Sequence, residues 1–325
     1  CAVESEMKKL LIGLVALALA AVSSAQFEIL AAESAPGPGN QNPNTWGGVL
    51  RFGIDAGGNA TALSGIDKTL VADPVGVVFA PDGELMVSNR HGNTQASSVG
   101  RFLRDGSGNY VANGAITGNS LFGAHGANFN PVTGEFWVTN VNGPLSRFTG
   151  GTYTANGTVS SGLVRDINFN ADGSFAYVTT STGTLRRLNT ATMTFTDFGV
   201  SATGLHQMQW RDGALYGANY ASGSTGGVYT INLDGAGAVT GVTQVVSLSD
   251  AIGVTFSPDG NEMFVSRHGV GGINRYLFNS GSWVANGSIS TTNSLGHLAT
   301  YAVPEPASLL ALAGLVPLVL RRRRK

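Results

Sequence analysis

The stretch Gly76-Val77-Val78-Phe79-Ala80-Pro81-Asp82-Gly83-Glu84-Leu85-Met86-Val87-Ser88-Asn89 reads as two short strands joined by a tight turn. β-Branched and aromatic residues flank Pro-Asp-Gly, a combination that lets a chain reverse within a few residues. The pattern returns as Ala127-Asn128-Phe129 before Thr133-Gly134, and as Ile167-Asn168-Phe169 before Asp172-Gly173. It returns again as Met208-Gln209-Trp210 before Asp212-Gly213, and as Val254-Thr255-Phe256 before Asp259-Gly260. The aromatic anchors Phe79, Phe129, Phe169, Trp210 and Phe256 lie 50, 40, 41 and 46 residues apart. A period of that length marks an architecture of stacked or radially arranged units that bury their apolar faces against one another.

Each turn leads into a second run, such as Phe136-Trp137-Val138-Thr139, and then a third, such as Leu145-Ser146-Arg147-Phe148. Three units close on near-identical fourth runs: Tyr110-Val111-Ala112-Asn113-Gly114, Tyr153-Thr154-Ala155-Asn156-Gly157 and Trp283-Val284-Ala285-Asn286-Gly287. With Asp-Gly and Asn-Gly read as hairpin turns, every unit is four antiparallel strands, the blade of a β-propeller. Five units are complete. Phe27-Glu28-Ile29-Leu30 and Gly48-Val49-Leu50-Arg51-Phe52 match second and third strands, and His297-Leu298-Ala299-Thr300-Tyr301 matches a first strand. Joined, these fragments make a sixth blade between the termini, which removes the open sheet edges that invite aggregation. The expected fold is all-β, a six-bladed β-propeller of four-stranded antiparallel blades; a seventh blade would require splitting one of the longer repeats. The repeat resembles the NHL, SMP-30 and YVTN class of propellers, a resemblance that implies a fold and no particular activity.

Both ends read as addresses. Cys1 to Glu6 stand ahead of an initiator Met7, Lys8 and Lys9 form a positive start, and Leu10 to Val22 is apolar. Ser23-Ser24-Ala25 supplies the small residues after which a signal peptidase cuts, giving Gln26 as the mature start. At the far end, Ala307 to Leu320 is apolar apart from Ser308, and Arg321 to Lys325 is wholly basic. Fourteen residues at about 1.5 Å each reach about 21 Å, short of a ~30 Å hydrocarbon core, and the basic cluster favours the cytoplasmic side. Val303-Pro304-Glu305-Pro306 precedes this tail. Pro304, Glu305 and Pro306, the hydrophobic stretch and the arginine cluster together resemble the PEP-CTERM sorting tag of bacterial exported proteins. That resemblance implies a transient inner-membrane helix, an exosortase-like processing enzyme as partner, and final residence at the cell surface or in the extracellular matrix. The expected division is 1–25 leader, 26–302 propeller and 303–325 sorting tail.

Composition agrees with that setting. The single cysteine, Cys1, precedes the leader, so the mature chain has neither disulfides nor thiol chemistry. Net charge is −1 and charged residues make up 12%, which gives no electrostatic footprint for nucleic acid. No Gly-x-Ser-x-Gly elbow, Walker loop or cysteine-based metal motif occurs. Asn59, Asn156 and Asn286 open glycan sequons, a weak signal in a bacterial setting. Arg51, Arg101, Arg147, Arg187 and Arg275 share one third-strand position and read as packing stems with paired or solvated heads.

The five histidines carry the sharpest functional signal. Four residues before each anchor stand Val75, His125, Arg165, His206, Ile252 and, with Tyr301 as anchor, His297. Twelve residues after Phe79 and Phe256 stand His91 and His268, each within Arg-His-Gly. The start of a first strand and the end of a second lie on one side of a blade, so all five histidines should gather on one face of the disc. His125, His206 and His297 fall on alternate blades, related by a rough threefold. Three imidazoles around an open fourth position form a catalytic zinc arrangement, with Zn–N near 2.0–2.1 Å. The trio resembles the metal site of the peptidyl-amide lyase propeller; that resemblance makes Arg165 an anion contact but finds no catalytic tyrosine among these repeats. His91 and His268 read first as loop caps.

Two functions follow from the sequence. The first is a non-enzymatic surface or matrix propeller that binds a ligand, an extracellular polysaccharide or a surface protein through His91, His125, Arg165, His206, His268 and His297. The second is a secreted enzyme, a lyase or a hydrolase of lactones or esters, using zinc or another divalent metal on His125, His206 and His297.

Overall fold

The computed structural model describes residues 26–34, 47–90, 97–180, 182–201 and 204–303. His91, Pro304-Glu305-Pro306 and both hydrophobic ends lie outside the described residues. Among the described residues no helix is long and apolar enough to cross a membrane.

Six four-stranded antiparallel sheets surround an axis, as the repeat predicts. The first uses β1 (Phe27–Glu33), β2 (Val49–Ile54) and β3 (Ala60–Ile66). Blade two is β4 (Pro74–Phe79), β5 (Leu85–Asn89), β6 (Ser98–Arg104) and β7 (Tyr110–Ile116). Blade three is β8 (Ala124–Phe129), β9 (Phe136–Asn140), β10 (Leu145–Phe148) and β11 (Ala155–Val159). Blade four is β12 (Val164–Phe169), β13 (Phe175–Thr180), β14 (Thr184–Asn189) and β15 (Thr194–Ser201). Blade five is β16 (Leu205–Arg211), β17 (Ala214–Asn219), β18 (Gly227–Leu233) and β19 (Val239–Ser247). Blade six is β20 (Ala251–Phe256), β21 (Glu262–Arg267), β22 (Ile273–Asn279) and β23 (Ser282–Ile289). The last strand, β24 (Leu295–Ala302), pairs with β1 and completes blade one as its innermost member. The chain therefore closes its own ring, with Ile29 opposite both Phe52 and Thr300.

Packing explains why the units need one another. Among the described residues six buried apolar clusters occur, and each draws on two neighbouring blades. Leu30 and Val49 of blade one, for example, meet Leu85, Val87 and Phe102 of blade two. Burying side chains of this size stabilises by roughly 1.5–3 kcal/mol each, a gain realised only when both blades are present.

The Asp-Gly positions turn as expected, with Gly83 at φ +89° and Gly260 at +72°, conformations that glycine adopts without penalty. The Asn-Gly positions do not. Asn113-Gly114 lies within β7, where Gly100 pairs with Ala115 and Phe102 with Ala112, so two residues face the single Arg101. The same bulge sets Asn156-Gly157 against Arg147 and Asn286-Gly287 against Arg275. These pairs are β-bulges, not hairpin turns, and they aim a side chain. Asn113 reaches Glu84, which also accepts from Arg101 at 3.0 Å and from the Tyr153 hydroxyl at 3.2 Å. Asn156 meets Glu135 beside Arg147, and Asn286 meets Glu262 beside Arg275. In blade one Glu28 holds Arg51 and Arg104 at 2.6 and 2.5 Å. The third-strand arginines are thus structural, and Asn156 and Asn286 spend their amides on a carboxylate.

Candidate functional site

Each propeller has a narrow axis because the six innermost strands, β4, β8, β12, β16, β20 and β24, lie side by side around it. The second residue of β8 and β16 and the third of β24 are His125, His206 and His297. All three are buried. One ring nitrogen from each lies within 4.8 Å of the others. Ring centroids are 5.5 Å apart for His125–His206 and 5.1 Å for His125–His297. A tetrahedral ion at ~2.1 Å holds its nitrogens about 3.4 Å apart, so small side-chain rotations would bring the trio to ligating geometry.

Hydrogen bonds settle which ring atoms are free. His125 Nδ1 lies 3.0 Å from the Arg165 carbonyl oxygen, which fixes Nδ1 as the donor and leaves Nε2 as a lone pair. The Arg165 guanidinium donates to His206 Nε2. His206 Nδ1 and His297 Nε2 are buried and have no hydrogen-bond partner among the described residues. His206 Nδ1 carries that ring's proton, because Nε2 accepts from Arg165, whereas the orphaned His297 Nε2 asks for an explanation, and a ligated ion is one. Backbone carbonyls beneath the rings are held by hydroxyls: Thr139 donates to the Arg165 carbonyl at 2.9 Å and Thr179 to the His206 carbonyl at 3.0 Å.

Electrostatics keep the trio neutral. Burial, then the neighbouring histidines and arginines, pushes His125 well below the usual imidazole value. Burial and the Arg165 charge do the same to His206 and hold His297 at about 3. Neutral imidazole is the form that ligates.

Of the remaining predicted residues, Arg165 reaches the trio through His206, whereas His268 sits one ring further out. Tyr220 lies between them, with its ring 5.7 Å from His206 and 5.2 Å from His268. His268 also belongs to a capped loop, its amide donating to the Asp250 carbonyl at 2.9 Å while Gly269 donates to Ser294.

Two residues at the site escape the repeat analysis. Tyr220 follows β17, where no repeat position flags it. Asp166 had a usable signal, being the sole acidic residue in the six innermost strands. It is buried, accepts from the Met208 amide at 2.6 Å, and is driven well above the ordinary carboxyl range by desolvation. Asp166 and His297 both line a cavity of about 580 Å³ that runs down the axis toward Trp210 and Phe256.

No protein-family model matches the chain, and no curated protein matches it in sequence. Solved structures do. The Pseudomonas aeruginosa periplasmic gluconolactonase PpgL is 17% identical over 86% of each chain, with a TM-score of 0.57. A putative 6-phosphogluconolactonase from Bacteroides uniformis is 14% identical over 84% of this chain and 99% of its own, with a TM-score of 0.56. A chain of a nidogen/laminin complex is 11% identical over 86% of this chain and 100% of its own, with a TM-score of 0.63. At these identities the likeness is one of fold, and the chain is a six-bladed β-propeller with NHL- and YVTN-like neighbours.

Proposed function

We propose that this chain is an exported β-propeller that holds a divalent metal, zinc by its donor set, between His125, His206 and His297, and that its work is done there. The observation that carries the reading is the convergence of three neutral, buried ring nitrogens within 4.8 Å, from three alternate blades. Zinc takes imidazole nitrogen readily, and a fourth position beside three histidines is where it acidifies water or polarises a carbonyl. Arg165 would contact an anionic oxygen there, and Tyr220, its ring 5.7 Å from that of His206, stands beside the trio. A secreted hydrolase or lyase of lactones or esters fits that set, and among structures of similar fold are proteins described as gluconolactonases.

A non-catalytic reading has one observation in its favour. None of the three histidines is more than 6% exposed, and closed metal sites tend to be structural. A propeller that only binds a polysaccharide or a surface protein would then use the metal as a clamp. Export rests on the Lys8-Lys9 leader and the Pro304-Glu305-Pro306 tail, which assign signal peptidase and an exosortase-like enzyme as processing partners.

The test is metal content of protein purified without chelator, beside a His125→Ala, His206→Ala, His297→Ala variant. Stoichiometric metal that disappears in the variant is expected; metal-free wild type sinks the reading. Turnover of a lactone and ester panel by the loaded protein separates enzyme from clamp. An N-terminus at Gln26 in the culture medium checks export, and retention in the cytoplasm refutes it.

A further inference from the structure

Below the histidines, the channel has a wall that no metal explains. The residue before each aromatic anchor is Val78, Asn128, Asn168, Gln209, Thr255 and Thr300, and all six line the 580 Å³ cavity. Five of the six are uncharged hydrogen-bonding side chains. A channel built only for packing would favour apolar residues, because unpaired amides in a confined space cost stability.

Their hydrogen bonds are incomplete. Thr255 and Thr300 share one bond at 2.9 Å. Asn168 gives one amide hydrogen to the Met208 carbonyl at 2.8 Å, and its own carbonyl oxygen has no partner among the described residues. Asn128 accepts from the Phe129 amide at 2.8 Å, which leaves its NH2 group unused among the described residues. Among them Gln209 makes no side-chain bond, and the buried Trp210 Nε1 has no partner. Asn128 therefore offers a donor, Asn168 an acceptor and Gln209 both.

The charged residues that line the same cavity have partners within the protein, Arg211 and Asp212 pairing with each other at 3.3 Å. Arg211 at the rim stacks on Phe278 and Trp283 at 4.2 and 4.9 Å and donates to the Gly260 carbonyl at 2.6 Å. The Asp259 carboxylate accepts from Ser257 at 2.5 Å and from the Asn261 amide. Asp166 accepts from the Met208 amide at 2.6 Å, and burial drives its carboxyl well above the ordinary range, which favours the neutral form. Phe79, Trp210 and Phe256 supply apolar faces around the polar ring.

From these features we infer that the channel segment walled by Asn128, Asn168, Gln209, Thr255 and Thr300 binds an uncharged polyhydroxylated ligand, a neutral saccharide unit. Paired amide donors and acceptors match vicinal hydroxyls, aromatic faces match the C–H face of a sugar ring, and the volume suits one or two such rings. A phosphate or uronate would find no cation on this wall. The site stands on its own residues and is independent of a metal at the histidines.

The test titrates purified protein, chelator-treated and zinc-loaded in parallel, with maltose, cellobiose and lactose, and with glucuronate and glucose 6-phosphate. At least one neutral sugar should bind with Kd near 1 mM or tighter in both forms. The charged sugars should bind at least about tenfold more weakly. Gln209→Met and Thr300→Val, chosen to keep volume, should each weaken the neutral sugar by about tenfold, and Gln209→Met, which deletes no bond among the described residues, should leave the thermal melt unchanged. No neutral binding, preference for charged sugars, or insensitivity to both variants overturns the inference. Binding only in the zinc-loaded form overturns it too, leaving the metal centre intact; sugar binding by a protein that never takes zinc refutes the metal centre alone.

Discussion

The Arg165 guanidinium lies against His206 Nε2, the ring atom that a shared metal would need. The two residues occupy the same repeat position on adjacent blades, so neither can move far from the other. Arg165 is itself lowered from its usual value, chiefly by burial and then by the Arg90 charge. It is therefore a competitor for the trio in the metal-free protein and a free cation once displaced. Arg165→Gln should tighten zinc about tenfold, read by competition with a chromophoric chelator. Unchanged or weaker zinc affinity would show that the contact does not compete.

Acid should unfold the metal-free protein through the trio. The unfolded chain protonates its histidines near pH 6.5, whereas folded His297 stays neutral down to about pH 3. Between those values the unfolded state binds more protons, so stability is full above pH 6.5 and falls as pH drops. At pH 4.5 His297 alone removes about 2.7 kcal/mol. In urea melts with chelator, His297→Gln should shrink the difference between pH 7.5 and pH 4.5 by about 2 kcal/mol. An equal difference in both proteins would mean the ring is already charged.

Blade identity was legible because it is local: a period near 45 residues, an Asp-Gly turn and alternation within each strand are all visible along the chain. So was the trio, since equal offsets from an anchor translate into equal heights on the axis. The Glu84–Arg101–Asn113 contact was not. Its members sit just before β5, in β6 and in β7, and the bulge at Gly114 that brings Asn113 to Glu84 breaks the alternation used to read those strands. Arg-rich third strands and repeated Asn-Gly pairs were each visible, but only the sheet register joins them.

The ion-pair network predicts a graded response to mutation. Glu84 is 2% exposed and answers Arg101, Asn113 and Tyr153, so Glu84→Gln leaves a partly buried arginine without its charge partner. A loss of about 3 kcal/mol is expected in urea unfolding. Blade four has Phe175 at the register position where blades one, two, three and six have glutamate, and its Arg187 stacks on that ring at 4.3 Å and donates to the Ala236 carbonyl at an exposed site. Arg187→Ala should cost about 1 kcal/mol or less. Equal losses at the two sites would show that the buried carboxylate has no special weight.

Asp166 should titrate stability in the opposite sense from the histidines. Its folded carboxyl is raised by desolvation, while the unfolded carboxyl releases its proton near pH 3.9. Above 3.9 the unfolded state gives up a proton that the folded state keeps, so stability is full below that value and declines as pH rises toward the folded one. Each pH unit in that window removes about 1.4 kcal/mol. Asp166→Asn keeps an oxygen for the Met208 amide and cannot ionise, so it should flatten the decline and leave the variant more stable than wild type at pH 8 relative to pH 4. The measurement is the urea midpoint of both proteins across pH 4 to 8, with the histidine contribution cancelling in the comparison. A parallel pair of curves would mean that Asp166 is ionised in the channel, and an uncharged ligand would then meet an anion on a wall that otherwise offers only amides and hydroxyls.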